Sequence, residues 1–257
     1  LKKRLPVWNN TPIPLLKERD MGTGIFITGT DTGVGKTYFG CSLAAALNAK
    51  GLKVGVFKPL ESGCAEKNGA LFPSDAALLI KAANQGQSLA NACLYPLKTP
   101  VAPALAASME GVTIDPGRIV DHFHALCEQY DVTIVEGAGG ILAPMYNKVT
   151  ALELARRLDV PVVSVVGSKL GAINHALLTE RIILDSSVCF VGHVINEPYG
   201  NQDPATANNP EIISAMALRP VLGLLPFSRS PWLTYEVFEK NIDIKSLFPF
   251  DFEGFSL

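Results

Sequence analysis

Gly29-Thr30-Asp31-Thr32-Gly33-Val34-Gly35-Lys36-Thr37 follows a short apolar run, Gly24 to Thr28, and opens a segment rich in Ala and Leu. That order, strand then glycine-bearing turn then Gly-Lys-Thr then helix, is what a nucleoside-triphosphate cradle requires. Glycines let backbone N–H groups converge on phosphate oxygens, and the start of the helix points its positive end at them. Lys36 would reach the β/γ-phosphates, and the Thr37 hydroxyl would hold Mg²⁺. The common form of this loop needs glycine at position 30, where the chain has Thr30, so the loop is one residue longer than usual.

Three more positions could share that chemistry. Glu136 ends an apolar run and precedes Gly137-Ala138-Gly139-Gly140, so its carboxylate could take Mg²⁺ beside a triphosphate or simply sit in a turn. Asp75 follows Ser74 where a helix begins, and serves equally as a cap or as a Mg²⁺ ligand. Lys58 precedes Pro59 at a strand end; it either projects beside Lys36 to offset phosphoryl charge or is solvated in a turn.

The elements that must position these residues alternate. A helix from Thr37 to Lys50, a strand from Lys53 to Lys58, a glycine-bearing loop over 59–73 and a helix from Ala76 to Asn84 are expected first. A long proline-containing loop, 94–114, follows. Then come a helix from Pro116 to Tyr130, a strand from Val132 to Val135, a helix over Ala151 to Leu158 and a strand from Val160 to Val166. A helix from Asn174 to Leu184 and strands Val188 to Ile195 and Val221 to Leu225 complete the series. Continuous Val/Ile/Leu strands imply a parallel sheet covered on both faces, an α/β fold with helices sandwiching the sheet. Ligands in such sheets gather outside the carboxyl ends of the strands. Gly29 to Thr37, Lys58 to Gly63, Glu136 to Gly140, Gly167 to Asn174, Asn196 and Pro226 all fall there, so one crevice should collect them.

Composition narrows the function classes. A chain of 257 residues, 48% hydrophobic and 18% charged, suits one α/β domain, expected over 21–257, with residues 1–20 an extension outside the fold. Net charge is −2 and basic residues concentrate only at Lys2-Lys3-Arg4, so an electrostatic footprint for nucleic acid is absent. No apolar stretch approaches the roughly 20 residues that cross a bilayer, and no membrane partner is expected. Cys41, Cys64, Cys93, Cys127 and Cys189 are scattered with no C-x-x-C pair, which reads as reduced thiols in a cytoplasmic protein. His122 and His124 point to different helix faces and read as surface or packing side chains rather than a metal pair.

The motifs together resemble the dethiobiotin synthetase family over most of residues 22–228. They are Thr28 to Thr37, the Lys58-Pro59 strand end with Ser62-Gly63, Ser74-Asp75-Ala76, Val135-Glu136-Gly137-Ala138-Gly139-Gly140, and Val166-Gly167-Ser168-Lys169-Leu170-Gly171-Ala172-Ile173-Asn174-His175. The lengthened phosphate loop is also the family's form. The resemblance implies a single-domain P-loop NTPase-like fold and a ligase that uses ATP, Mg²⁺ and CO₂ or bicarbonate to convert 7,8-diaminononanoate into dethiobiotin, ADP and phosphate. It implies that Lys36, Lys58 and Thr32 are catalytic and that Ser62 contacts the substrate. Gly171, Ala172, Ile173 and Asn174 would receive the substrate carboxylate from the neighbouring subunit of a homodimer. Thr37, Asp75 and Glu136 would hold the metal. Nucleotide contacts would come from Gly33, Val34, Gly35, Lys36, Thr37, Tyr38, Asp75, Glu136, Gly137, Ala138 and Gly139, and from Asn196, Glu197, Pro226, Phe227 and Ser228 around the base. Gly33 stands where some relatives carry an acid, and Glu236 is offered as a ribose contact. Partition and septum-placing ATPases share the cradle, but their loops usually carry a second lysine near the start, and Thr30-Asp31-Thr32 has none.

Overall fold

A computed structural model describes residues 23–197 and 204–248. The expected extension at 1–20 lies outside them. In chain order the elements are β1 (Thr23–Gly29), α1 (Lys36–Ala49), β2 (Val54–Phe57), β3 (Leu60–Ser62), β4 (Ala65–Lys67), β5 (Ala70–Phe72), α2 (Ser74–Ala83), α3 (Leu89–Ala92), β6 (Tyr95–Leu97), α4 (Pro103–Glu110) and α5 (Pro116–Gln129). They continue as β7 (Val132–Gly140), β8 (Pro144–Tyr146), β9 (Val149–Thr150), α6 (Ala151–Leu158), β10 (Val162–Gly167), α7 (Ala172–Asp185), β11 (Phe190–Asn196), α8 (Pro204–Met216), β12 (Val221–Leu225) and α9 (Tyr235–Asn241).

Six strands form one parallel sheet in the order β12-β11-β10-β1-β7-β2, with the phosphate-loop strand near its centre. This bears out the expected α/β class. Alternation along each strand explains the layers. Ile25, Ile27, Val163, Val165 and Val194 face one way and pack with Phe39, Leu43 and Leu47 of α1, Leu79 of α2 and Phe238 of α9. Phe26, Val162 and Phe190 face the other way, against Phe123 of α5, Leu154 and Leu158 of α6 and Ile183 of α7. On that second face, Val166 and Ile195 form a separate cluster with Ala172 and Ala176 of α7 and Ile213 of α8. Between the two clusters runs a buried polar row, Thr28, Ser164 and His193, on register neighbours of β1, β10 and β11.

Three expectations need correction. The 59–73 loop contains β3 and the β4–β5 hairpin, and the 94–114 loop contains β6 and α4. β3 and β6 pair with each other in a small parallel sheet, so their pairing is long-range and each is three residues long, too short to leave a periodic signal. Lastly, β7 does not stop at Val135; it runs through Glu136 to Gly140, where Gly140 still pairs with Gly29. The five cysteines are all buried and none is in a disulfide, and His122 packs against Phe57 and bonds the Asn91 carbonyl at 2.8 Å, a packing role.

Candidate active site

Lys36 begins α1 immediately after Gly35, which holds φ at +100°, a left-handed turn open to glycine. A Cβ on Gly35 would lie 2.1 Å from the side-chain nitrogen of Asn196, so glycine here serves both the turn and the approach of β11. The Lys36 ammonium is buried and donates to the Asp31 carbonyl at 3.0 Å. Burial pushes its pKa down to about 8, against the attraction of Glu136 and with a contribution from the nearby Lys58 charge.

Thr37, one residue on, donates its hydroxyl to Glu136 Oε1 at 2.9 Å. The same carboxylate oxygen accepts from Lys58 Nζ at 2.5 Å, and Lys58 Nζ also donates to Asp75 Oδ2 at 2.8 Å. One buried ammonium thus joins the end of β2 to β7 and to the first turn of α2. Lys58 and Glu136 side chains are 6% and 1% exposed, Asp75 39%. Burial alone would lower the Lys58 pKa, but the Glu136 and Asp75 carboxylates outweigh it and hold the ammonium above the ordinary lysine value. Lys58 is therefore no solvated turn residue. Its backbone is fixed as well, since its N–H donates to the Ala92 carbonyl at 2.7 Å.

Asp75 is not the cap of α2. Pro73 occupies the N-cap position with no side-chain bond to the helix, and the first-turn amides are taken by a residue that sequence reasoning missed. Glu61, on β3 and almost fully buried, accepts from the N–H groups of Asp75 and Ala76 at 3.0 Å each and from the Ser74 hydroxyl at 3.3 Å. Burial raises its carboxyl pKa, with the Asp75 amide and the Lys58 charge pulling the other way. The visible signal was a carboxylate between Lys58 and Ser62, but its target lies across a hairpin.

Glu136 Oε2 is buried and has no hydrogen-bond partner among the described residues. An unpaired carboxylate oxygen in a dry site is costly unless a ligand completes it. Among the described residues no three or more His, Cys, Asp or Glu converge as a protein-only metal cage. Two carboxylates and a hydroxyl beside a phosphate loop suit Mg²⁺ instead, which keeps waters and draws its remaining ligands from nucleotide phosphates.

The other expected positions gather around this centre. Thr32 and Gly33 are exposed on the phosphate loop; Thr32 N–H donates to the Asp31 carboxylate at 2.7 Å, and that carboxylate meets Lys169 at 3.4 Å. The Thr32 hydroxyl lies 3.6 Å from where a Cβ on Gly139 would stand, which brings the Gly137-Ala138-Gly139 run against the loop. Asn196 donates its amide to the Val34 carbonyl at 2.9 Å, so its nitrogen is committed to the phosphate loop. Glu197 follows it and bonds the Leu225 carbonyl through its N–H at 3.2 Å. Tyr38 hydroxyl donates to the Pro226 carbonyl at 3.1 Å, tying α1 to the Pro226-Phe227-Ser228 segment. Gly171, with φ +90°, is the N-cap of α7 and makes no side-chain cap; Ala172 is buried, Ile173 half-buried and Asn174 exposed. Ser62 is half-buried on β3, beyond Lys58. Glu236 is exposed in the first turn of α9, and the structure gives it no bond to the base segment.

A parallel sheet with a glycine loop after a central strand, a lysine and threonine opening the next helix and an acidic residue on the neighbouring strand is a P-loop nucleotide-binding fold. Consistent with this, a family model described as an AAA domain matches residues 23–230. A ParA family ATPase from Chlorobium tepidum superposes with a TM-score of 0.50 at 15% identity, over 80% of this chain and 85% of that one, a likeness of fold alone. Sequence relatives are more specific. An ATP-dependent dethiobiotin synthetase of Thermodesulfovibrio yellowstonii is 36% identical over 238 residues, covering 88% of this chain and 99% of that protein. That of Aromatoleum aromaticum is 40% identical over 204 residues, covering 78% and 89%. The chain belongs to the ATP-dependent dethiobiotin synthetase family. Among the described residues no helix is long and apolar enough to cross a membrane.

Proposed function

We propose that this chain is an ATP-dependent ligase that carboxylates 7,8-diaminononanoate with CO₂ and closes the ring to dethiobiotin, with ADP and phosphate as the other products. The observation that carries the reading is the Lys58 ammonium held between Asp75 and Glu136, with Lys36 and Thr37 beside it at the phosphate loop. One amine of the substrate attacks CO₂ and loses a proton, giving a carbamate. A carbamate oxygen then takes the γ-phosphoryl group, releasing ADP, and the second amine attacks the carbamate carbon to expel phosphate.

Each step develops negative charge at one place, which two ammonium groups in a dry crevice would offset. Lys36 would follow the phosphates, and Lys58 would hold the carbamate and the moving phosphoryl group. Thr32 and Ser62 would orient the substrate. Thr37, Asp75 and Glu136 would hold Mg²⁺, which supplies further charge neutralisation at the phosphates when bound. Asn196, with its nitrogen committed to Val34, would present its oxygen to the exocyclic amine of adenine, and Glu197 with Pro226 to Ser228 would close the base pocket. At the α7 N-terminus the Ala172 N–H is given to the Lys169 carbonyl at 3.1 Å, and the first-turn amides after it, with the positive end of the helix, would suit a carboxylate; in a homodimer the turn from Gly171 to Asn174 would receive that of a substrate held by the partner subunit. Incubation of the protein with diaminononanoate, bicarbonate, Mg²⁺ and ATP should yield dethiobiotin by mass. Nucleotide hydrolysis without that product would refute the reading.

A further inference from the structure

Helix α2 carries Asp75 in its first turn, yet nothing in its own vicinity caps it. Pro73 at the N-cap has neither a side-chain acceptor nor an N–H, and the first backbone bond of the helix is Ala77 N–H to the Pro73 carbonyl at 3.1 Å. The amides ahead of that bond would be orphaned in a partly buried site. Two of them are satisfied from a distance by Glu61, whose Oε1 accepts from Asp75 N–H and whose Oε2 accepts from Ala76 N–H. Helices are ordinarily capped by a Ser, Thr, Asp or Asn in the adjoining residue. Here the cap is supplied by the short strand that follows Lys58 and Pro59, so one side chain ties the segment bearing the catalytic ammonium to the segment bearing its carboxylate partner.

The covalent route between those segments is the β4–β5 hairpin, Ala65 to Phe72. Its β4 residues are exposed and its β5 residues exposed to half-buried. A surface hairpin is a compliant connection, and the 2.8 Å contact from Lys58 to a carboxylate that is 39% exposed would not by itself fix the orientation of the first turn. Glu61, at 4% exposure, pins two successive amides there, including that of Asp75 itself. With the Asp75 backbone set by Glu61, its Oδ2 meets Lys58 and its carboxylate stays beside Glu136.

We infer that Glu61 is a positioning residue: by holding the Asp75 amide, it fixes the Asp75 carboxylate against Lys58 and thereby sets the affinity of the site for the divalent cation that accompanies the nucleotide. This rests on the assignment of Asp75 as a cation ligand made above. Residues that orient a metal-binding carboxylate typically cost about 10–100-fold in metal affinity or activity when replaced. Glu61→Gln is the informative variant, because it keeps shape and one acceptor but turns an NH₂ toward an amide N–H. Glu61→Ala removes the cap altogether.

The test is binding, not turnover. A fluorescent methylanthraniloyl ADP is titrated into the wild type, Asp75→Asn, Glu61→Gln and Glu61→Ala in EDTA and over a Mg²⁺ series. Wild-type binding that tightens with Mg²⁺, with that gain lost in Asp75→Asn, supports the assignment beneath the inference; its absence overturns that assignment independently of Glu61. With Asp75 so established, Glu61→Gln should need about 10-fold more Mg²⁺ for half the gain while its affinity in EDTA stays within about twofold of wild type. An unchanged Mg²⁺ requirement in Glu61→Gln, or equal losses with and without Mg²⁺, would reduce Glu61 to a helix cap and overturn the inference. The alanine variant adds a larger Mg²⁺ shift if it folds, and the glutamine variant decides the matter if it does not.

Discussion

Lys36 should take up a proton when nucleotide binds, and the amount can be worked from its surroundings. In the free protein its pKa falls from 10.5 to about 8, chiefly through burial. That depression corresponds to about 3 kcal/mol by which the folded state disfavours the charged form. A nucleotide diphosphate placed against the loop reverses the balance and restores the ammonium. The fraction of neutral Lys36 that must then bind a proton is about 0.1 at pH 7, about 0.5 at pH 8 and about 0.9 at pH 9. Calorimetric titration of ADP with Mg²⁺ in two buffers of different ionisation enthalpy measures that number directly. The expected uptake rises through pH 8 toward one proton and vanishes in Lys36→Met. The sign for stability agrees: between about pH 8 and pH 10.5 the unfolded chain keeps a proton that the folded one has lost, so this group makes the free protein more stable as pH rises through that window. An uptake at pH 9 below about 0.3 proton, or one that persists in Lys36→Met, would refute the argument.

Three further outcomes are expected. Lys58→Ala leaves the buried Glu136 carboxylate and Asp75 without their cation; denaturant titration should show a loss of about 3–5 kcal/mol in Mg²⁺-free buffer, partly recovered with Mg²⁺, and turnover should fall by at least about 10²-fold. Gly35→Ala forces a Cβ into the Asn196 amide at φ +100°; strain of about 1–3 kcal/mol should appear as a lowered Tm, together with weakened nucleotide binding by titration. If the α7 turn serves a substrate held by the partner subunit, mixing Lys58→Ala with Asn174→Trp subunits should restore about a quarter of wild-type activity, since about half the dimers are mixed and each has one intact site of two. The block belongs at exposed Asn174 and not at buried Ala172, where a tryptophan would disrupt packing with Val166 and Ile195.

The sheet was legible because its strands are continuous apolar runs and each ends in a polar or glycine-bearing turn. β12 was expected over the residues observed, and α6 likewise, where Thr150 caps and Leu152, Leu154, Ala155 and Leu158 face the core. β3 and β6 were not legible, because three-residue strands take their identity from each other across the chain. α8 and α9 escaped for a related reason: α8 carries an internal Pro210, and α9 is a seven-residue helix anchored by Phe238 rather than by a periodic stripe. At the site, the residue types of Lys36, Thr37, Lys58, Asp75 and Glu136 could be picked out one by one, but not that a single ammonium joins two of the carboxylates. Ser74-Asp75 read as a cap from local chemistry, and the true cap came from Glu61 because Pro73 displaces the usual geometry.

The two lysines are set to opposite conditions beside the same pair of carboxylates, Lys58 by direct contact with them and Lys36 by burial, and this divides their work. Glu136 and Asp75 touch Lys58 directly and keep it charged throughout the neutral range. Among the described residues the Lys36 ammonium donates to the Asp31 carbonyl, a neutral acceptor, so burial dominates and its charge depends on what occupies the loop. Lys58 therefore offers a standing positive charge to an incoming carbamate before any nucleotide arrives, whereas Lys36 becomes fully cationic only against phosphate. Raising the pH past about 8 should accordingly weaken nucleotide capture by the free enzyme before it impairs Lys58. On a pH profile the fall appears first in kcat/KM for ATP and only at higher pH in kcat, because the former reports the free enzyme and the latter the loaded one.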